Sequence, residues 1–553
     1  MMDKTCSTCS APFVFSDENA ALLQKFTQTF DGQTFEVPVP HECPKCREQN
    51  RMAHRNERAL YHRKCDSTGR QIISMYSPDK PYIVYDQTVW WSDEFDPLHY
   101  GQEIDFTRPF FEQFKELELK VPKSSINNAK SENCDYTNYS AENKNCYMIV
   151  GGLNSEDSFY GYRIFSCRDV CDNYNLLGCE KCYDCLLSTD LYHCQHCTEC
   201  FNSSNLTLCS NCTGCSNCFG CANLKNKEYY IYNQAFSKED YFTKVAELMS
   251  NLDAVKPDIE ALHQSVPHKY ATKINCEASS GDQLLNCQNC KECYTLKDCQ
   301  DCHYVANGNT SKDCMDCNFF DNSELQYYTA NHEKNYNVMF SNLAWYCKNI
   351  AYCASCFNSE DLFGCVGMKK HQYCILNKQY SKEEYEQLVA KLITHMQETG
   401  EWGQYFPPSL SAFGYNETVA HAYKPMAQQD VLNAGWNWHN EEQALSNYMG
   451  PEVDITAPIS EIPDSICDQI LTCGVSGKPY KIIPQELKFY RAMNIKIPNV
   501  CPDVRHKNRM DRLNPRTLWN RQCHQCQKDV QSTFDPSRPE HIYCETCYLN
   551  QVY

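Results

Sequence analysis

Residues 179–215 read CEKCYDCLLSTDLYHCQHCTECFNSSNLTLCSNCTGC. Nine cysteines fall in these 37 residues and return on a fixed beat. Cys179, Cys194 and Cys209 stand fifteen apart, as do Cys182, Cys197, Cys212 and Cys185, Cys200, Cys215. Leu176, Leu191 and Leu206 keep the same step. A later stretch repeats it: Leu284, Cys299, Cys314; Cys287, Cys302, Cys317; Cys290, Val305, Phe320. A column that accepts Leu, Val or Phe in place of Cys is an apolar column. The pattern therefore predicts a β-solenoid whose coils stack ~4.8 Å apart with like residues aligned, turning at Asn, Asp and Thr.

On a flat strand, residues i and i+3 face opposite sides, so C-x2-C turns both sulfurs inward only across a bend. Cys179 and Cys185 are expected to share a face, with Cys182 at a corner or on the other side. Three roles stay open for these thiols. They could form a buried ladder of small hydrophobes. Stacked corners could gather them around zinc or an iron–sulfur cluster. They could also carry disulfide or redox traffic.

Residues 134–374 hold 28 of the 40 cysteines, and they do so as two copies. FGCANLKNKEYYIYNQAFSKEDY (219–241) matches FGCVGMKKHQYCILNKQYSKEEY (363–385) at an offset of 144. Each copy runs into an amphipathic helix opened by Ser with an acid three places on, a capping signature.

The two ends of the chain are also copies. Residues 43–86 lie over 501–544 without a gap, at an offset of 458, with fifteen of 44 positions identical. The copies differ in their thiols. Cys6, Cys9, Cys43 and Cys46 are complete at the N-terminus, where the C-terminal copy reads Cys473, Ser476, Cys501 and Val504. Cys523, Cys526, Cys544 and Cys547 are complete at the C-terminus, where the N-terminal copy reads Cys65, Thr68, Asp86 and Val89. Paired C-x2-C knuckles at this separation are the spacing of a zinc ribbon or treble clef, so one structural zinc is expected at each complete set. The leftover Cys65, Cys467, Cys473 and Cys501 are read as packing residues.

Between the sites of each copy runs a basic segment. Arg47, Arg51 and Arg58 match Arg505, Arg509 and Arg516, with His54 over Arg512. Steps of three and four put these groups on one helical face. Such a stripe can hold phosphate, since the guanidinium fork takes two oxygens at once, or it can be a solvated face offsetting nearby acids. The net charge of −19 argues against nucleic-acid binding by the surface as a whole.

Catalytic motifs were not found: no GxxxxGK[ST] loop, no GxGxxG after a strand, no HExxH, no GxSxG elbow. His193 and His196 lie among cysteines and read as polar loop residues, with metal ligation as the alternative. His371 has no acid partner close in sequence. Trp436 and Trp438 are expected to cover other parts of the protein, and Glu452, Asp454 and Glu461 to form a solvated face. No apolar run is long enough to span a bilayer, and no export signal opens the sequence, so a reducing cytoplasm is expected.

FTRPFFEQFKEL (106–117), FGCVGMKKHQYCILNKQYSKEEYEQLV (363–389), FPPSLSAFGYNETVA (406–420) and SGKPYKIIPQELKFYRAMNIKIP (476–498) carry a resemblance. With these strings the chain resembles the large cysteine-rich, zinc-ribbon-bearing proteins of candidate-phyla bacteria with small genomes. The resemblance covers nearly the whole chain and implies a bacterial, cytosolic, zinc-binding protein. No activity is established in that family to carry over.

The expected architecture is mainly β with α: zinc-ribbon or treble-clef modules at both termini flanking a duplicated cysteine-rich β-solenoid with amphipathic helices. Its parts are an N-terminal module (1–95), a helical docking segment (96–130), solenoid copies with their helices (131–270 and 271–400), an aromatic connector (401–466) and a C-terminal module (467–553). The expected function is a non-enzymatic, zinc-binding scaffold with a protein partner and two structural zinc ions. Two alternatives stand beside it. One is an RNA- or ribosome-associated protein using the arginine faces; the other is an iron–sulfur or thiol redox protein using the central cysteines.

Overall fold

The computed structural model describes residues 1–440 and 454–552. Its centre is built on a step of three residues. From Lys181 to Asn211 every third residue has a left-handed backbone, with φ between 48° and 54°. That conformation costs most L-residues ~1–2 kcal/mol and Asn or Asp least, because their short polar side chains bond locally. Asn202, Asn205, Asn211, Asn217, Asn223 and Asn226 occupy such positions. Each left-handed residue is a bend, and the residue after it turns inward: Cys182, Cys185, Ser188, Leu191, Cys194, Cys197 and Cys200 are all buried.

These triplets pair in parallel with the residue twelve positions on, as in Cys182↔Cys194, Leu191↔Ser203 and Leu206↔Cys218. One ladder spans residues 128–231 and a second 273–375, where Cys302↔Cys314, Val338↔Ile350 and Leu362↔Cys374 repeat the register. A single short step, Lys273↔Leu284, opens the second ladder. The strands form sheets of nine and fourteen members, each ended by an antiparallel turn-back.

The register corrects the fifteen-residue stacking expected from sequence. Fifteen residues are five triplets, one more than separates paired neighbours, so Cys179, Cys194 and Cys209 do not lie above one another. Cys182 also joins Cys179 and Cys185 on the inside; all three are at most 1% exposed. The requirement of a bend at each C-x2-C holds, and the left-handed residues supply it.

Outside the ladders, Asn side chains bond along the stack, Asn337 Nδ2 to Asn349 Oδ1 and Asn349 Nδ2 to Asp361 Oδ1, each at 3.0 Å. Inside, Ser188 and Ser203 accept the N–H groups of Cys200 and Cys215. The two capped helices form as expected over Lys238–Ser250 and Lys382–Glu398, with Ser237 and Ser381 accepting at their N-termini. The second packs deep against its ladder through Val389, Leu392, Ile393 and Met396; the first is far more open.

The docking helix Phe110–Lys120 lies on the second ladder, where Phe110 meets Tyr352 and Phe363. In the connector, Trp402 and Phe406 join that core, and Trp436 covers Met52 and Ala53 with Trp438 packed beside it. Asp454 and Glu461 are exposed; Glu452 lies outside the described residues.

Candidate metal centres and their docking arginines

Each terminus brings four sulfurs together. The Sγ atoms of Cys6, Cys9, Cys43 and Cys46 all lie within 4.8 Å of one another, as do those of Cys523, Cys526, Cys544 and Cys547. Cys9 and Cys43 are 3.8 Å apart, Cys526 and Cys544 3.7 Å. A tetrahedron with ~2.3 Å metal–sulfur bonds has an edge of ~3.8 Å, so these sets fit a four-coordinate thiolate site.

The local fold explains the convergence. A hairpin, Met2–Thr5 against Pro12–Phe15, turns at Cys6, whose carbonyl accepts the N–H of left-handed Ser10 at 3.0 Å. The second pair opens the helix Pro44–Met52, and the Cys43 N–H points at Cys6 Sγ at 3.2 Å. The C-terminal site is the same device: hairpin Trp519–Gln522 against Asp529–Ser532, left-handed Gln527, then the helix Glu545–Val552. Burial raises the Cys523 thiol, but backbone N–H groups of Cys526 and Cys544 outweigh it and bring the thiol down to about 6.

The depleted twins keep the hairpin and the helix while losing the sulfurs. Cys65 follows the Tyr61–Lys64 strand, and the Asp86 N–H reaches its Sγ at 3.2 Å, repeating the Cys43–Cys6 contact. Cys473 and Cys501 are buried among Leu487, Tyr490 and Ile497. Cys65, Cys473 and Cys501 thus pack as expected, and Cys467 sits at the edge of the same cluster.

Among the described residues, no further cluster of His, Cys, Asp or Glu forms such a group. The inward thiols of both ladders, including Cys209, Cys212, Cys287, Cys290, Cys299, Cys314 and Cys317, are buried and hydrogen-bonded to backbone. Cys182 donates to the Glu180 carbonyl at 3.4 Å, Cys197 to Gln195 at 3.3 Å, Cys317 to Met315 at 3.3 Å. A protonated thiol is the donor these contacts need. His193 and His196 stay outside the ladder, on Asn205 and Asp184. His371 does have a carboxylate nearby, Asp96 at 3.7 Å, brought in from far along the chain.

The arginine stripe is the main correction. Arg47 and Arg51 are 1% and 0% exposed and clamp the two oxygens of Asp316, at 2.8 and 3.3 Å. Arg505 and Arg509 clamp Asp172 in the same way, at 2.8 and 2.7 Å, and Arg505 also meets Glu486 at 3.2 Å. Arg512 pairs with Asp184, Arg58 with Asp503 and Arg516 with Glu48. Arg47, Arg51, Arg505 and Arg509 are buried against carboxylates of this chain and are not open to phosphate, whereas Arg512 stays 38% exposed beside Asp184. Asp172 and Asp316 stand 144 apart, the offset of the ladders; their equivalence was readable, but nothing in the sequence joined them to arginines hundreds of residues away.

No protein-family model matches the chain, and no curated protein matches it.

Proposed function

We propose that this protein is a zinc-braced scaffold. Two structural zinc ions, each in four thiolates, hold the terminal modules across a pair of thiol-filled β-solenoids, and the assembled exterior engages a protein partner. The observation that carries this reading is the placement of four mutually close sulfurs at each hairpin–helix junction. Four thiolates close the coordination shell and leave no position for water or substrate, which is the signature of a structural rather than a catalytic ion. The twelve-residue register, kept through both ladders after one short opening step in the second, supports the solenoid reading. The S–H donors inside support a packing role for the central cysteines, and a reducing, cytoplasmic setting keeps them protonated. An RNA partner gains nothing from arginines that are spent on Asp172 and Asp316.

Elemental analysis of the chain purified without oxygen tests the proposal. Two zinc ions per chain, no iron and no acid-labile sulfide are expected. Iron with stoichiometric sulfide would replace the scaffold by the redox reading.

A further inference from the structure

Where the C-terminal module meets both ladders there is a cavity of about 190 Å³. Glu199 lines it from the first ladder, Asp282 and Gln283 from the second, Thr533 and Phe534 from the module. The duplication carries this cavity onto a twin of about 40 Å³, bounded by Leu343, Tyr139, Met75 and Tyr76. In register, Leu343 stands for Glu199, Asn138 for Asp282, Tyr139 for Gln283, Met75 for Thr533 and Tyr76 for Phe534. The smaller site has closed around neutral groups; the larger holds the Glu199 and Asp282 carboxyls, with Glu540, Arg512, Arg516 and Arg538 also in its wall.

The acids are not required by the fold. Asn138 Oδ1 accepts the backbone N–H groups of Asn127 and Tyr139, both at 3.0 Å. Asp282 Oδ1 accepts those of Thr272 and Gln283 at 2.8 and 2.9 Å. A neutral amide therefore does the same backbone work, and the charge at Asp282 is surplus to it. Leu343 shows likewise that the ladder tolerates an apolar residue where Glu199 stands.

Nor are the acids neutralised by the cations around them. Arg512, Arg516 and Arg538 are matched by Asp184, Glu48 and Glu540. The field of Lys273 reaches Asp282, but its ammonium donates to the Ser279 carbonyl at 3.2 Å. Glu199 takes hydrogen bonds from Gln283 and Thr272, both uncharged, and Asp282 adds only amides and the Thr533 hydroxyl. Burial and the neighbouring Asp282 push the Glu199 carboxyl up to about 7, the mark of an acid wanting a counter-charge.

We propose that this cavity binds a small organic ammonium ion, with Glu199 as its counter-ion. An engineered cavity of ~150 Å³ admits benzene, so the space suits a primary amine of up to ~10 non-hydrogen atoms. Tyr294 lines the same space, and Thr533 and Asp282 supply further oxygens, while the Phe534 ring is already taken by the Arg538 guanidinium, 4.9 Å from its centre. A bare divalent cation fits less well, because calcium takes ~6–8 oxygen ligands and two carboxylates supply few of them.

Calorimetry on the metal-loaded full chain at pH 8 decides it, with phenethylamine, butylamine and cadaverine as probes and 2-phenylethanol and calcium chloride as controls. At least one amine should bind saturably, at least tenfold more tightly than the alcohol. Glu199→Leu, which installs the twin's residue, and Glu199→Gln should each weaken that amine at least tenfold while metal content stays unchanged. Leu343→Ala on the twin side should leave it as it was. If Glu199→Leu fails to fold, Glu199→Gln alone carries the test. The proposal is overturned if none of the amines binds, if the alcohol binds equally, if affinity survives loss of the Glu199 charge, or if calcium binds there in the amine's place.

Discussion

The N-terminal module docks its arginine helix on the second ladder, and the C-terminal module docks the equivalent helix on the first. Arg47 and Arg51 grip Asp316 as Arg505 and Arg509 grip Asp172. The modules also reach across to each other, Arg58 to Asp503 and Arg516 to Glu48. The docking clamps are equivalent contacts made by equivalent residues, whereas the cross-module pairs use partners that do not correspond. Each half therefore serves as a control for the other at the clamps. A feature present in both halves answers to the fold. One kept on a single side, such as the acids of the larger cavity, is not demanded by it. That reasoning separates the claims below more cleanly than either half could alone.

The largest expected contrast is between complete and depleted thiol sets. Structural zinc contributes apparent binding energies of ~10–16 kcal/mol in small modules, so Cys526→Ser should unfold the C-terminal hairpin and helix. Limited proteolysis should then cut within residues 519–552. Cys473→Ser removes a packing thiol with no metal to lose and should cost ~1–3 kcal/mol, with the fold intact. Equal protease sensitivity in the two variants would mean that the complete set does not brace its module through a metal.

Next come the docking carboxylates. Removing one partner of a buried charge pair costs ~3–5 kcal/mol, because the remaining charge is stranded. Asp316→Ala leaves Arg47 only the Glu42 carbonyl and Arg51 only Asn318 Oδ1, at 2.8 Å, neither of them charged. Asp172→Ala leaves Arg509 only the Tyr160 carbonyl, at 3.3 Å, while Arg505 keeps the Glu486 carboxylate. Both variants should therefore lower the denaturant midpoint, Asp316→Ala the more. Hydrogen exchange should rise in Pro44–Met52 for the first variant and in Pro502–Asp511 for the second. A neutral effect at either site would remove that pair from the docking scheme.

What the sequence revealed divides along the same physical line. Thiol sets, capped helices and duplications are local or periodic, so spacing alone exposed them. The triplet was also written there, as Cys recurring at every third place, with Asp or Asn before it at Cys185, Cys212, Cys287, Cys290, Cys299 and Cys302, but the fifteen-residue beat of Leu191 and Leu206 concealed it. That beat records which inward positions are large, whereas the register is fixed by how many bends close one step of the ladder. Arginine stripes were legible as a helical face, and their partners were not. Asp172 and Asp316 look like any other Asp at a left-handed bend until the modules fold back over the ladders. The cavity was invisible for the same reason, since Glu199, Asp282 and Thr533 come from three separate parts of the chain.

A smaller effect tests the register in both ladders. Side chains in contact couple by ~0.5–3 kcal/mol in a double-mutant cycle, and distant ones add. Cys194 should couple to Leu206, twelve residues on, and not to Cys209, fifteen on. Cys302 and Cys314 should couple in the second ladder. Coupling of Cys194 to Cys209 instead would restore the fifteen-residue stack.

The smallest expected effect belongs to the cavity and its closed twin. Glu199 is raised to about 7 in the folded chain and is near the ordinary ~4.3 when unfolded. The folded state therefore holds the proton more tightly, so its contribution to stability is fully present below the unfolded value and is lost as pH climbs through about 7. Asp282 is raised by burial in the same direction, so total stability is a poor measure and the difference made by one substitution is a good one. Glu199→Gln should match the parent chain near pH 4 and exceed it by ~1 kcal/mol at pH 8, a figure kept low because the side chain is only half-buried. Leu343→Gln, at the twin position, should shift stability by the same amount at both values. A pH-independent effect of Glu199→Gln would show that this carboxylate meets water in the folded chain and carries no surplus charge there. The argument from the twin would then reduce to a difference in shape.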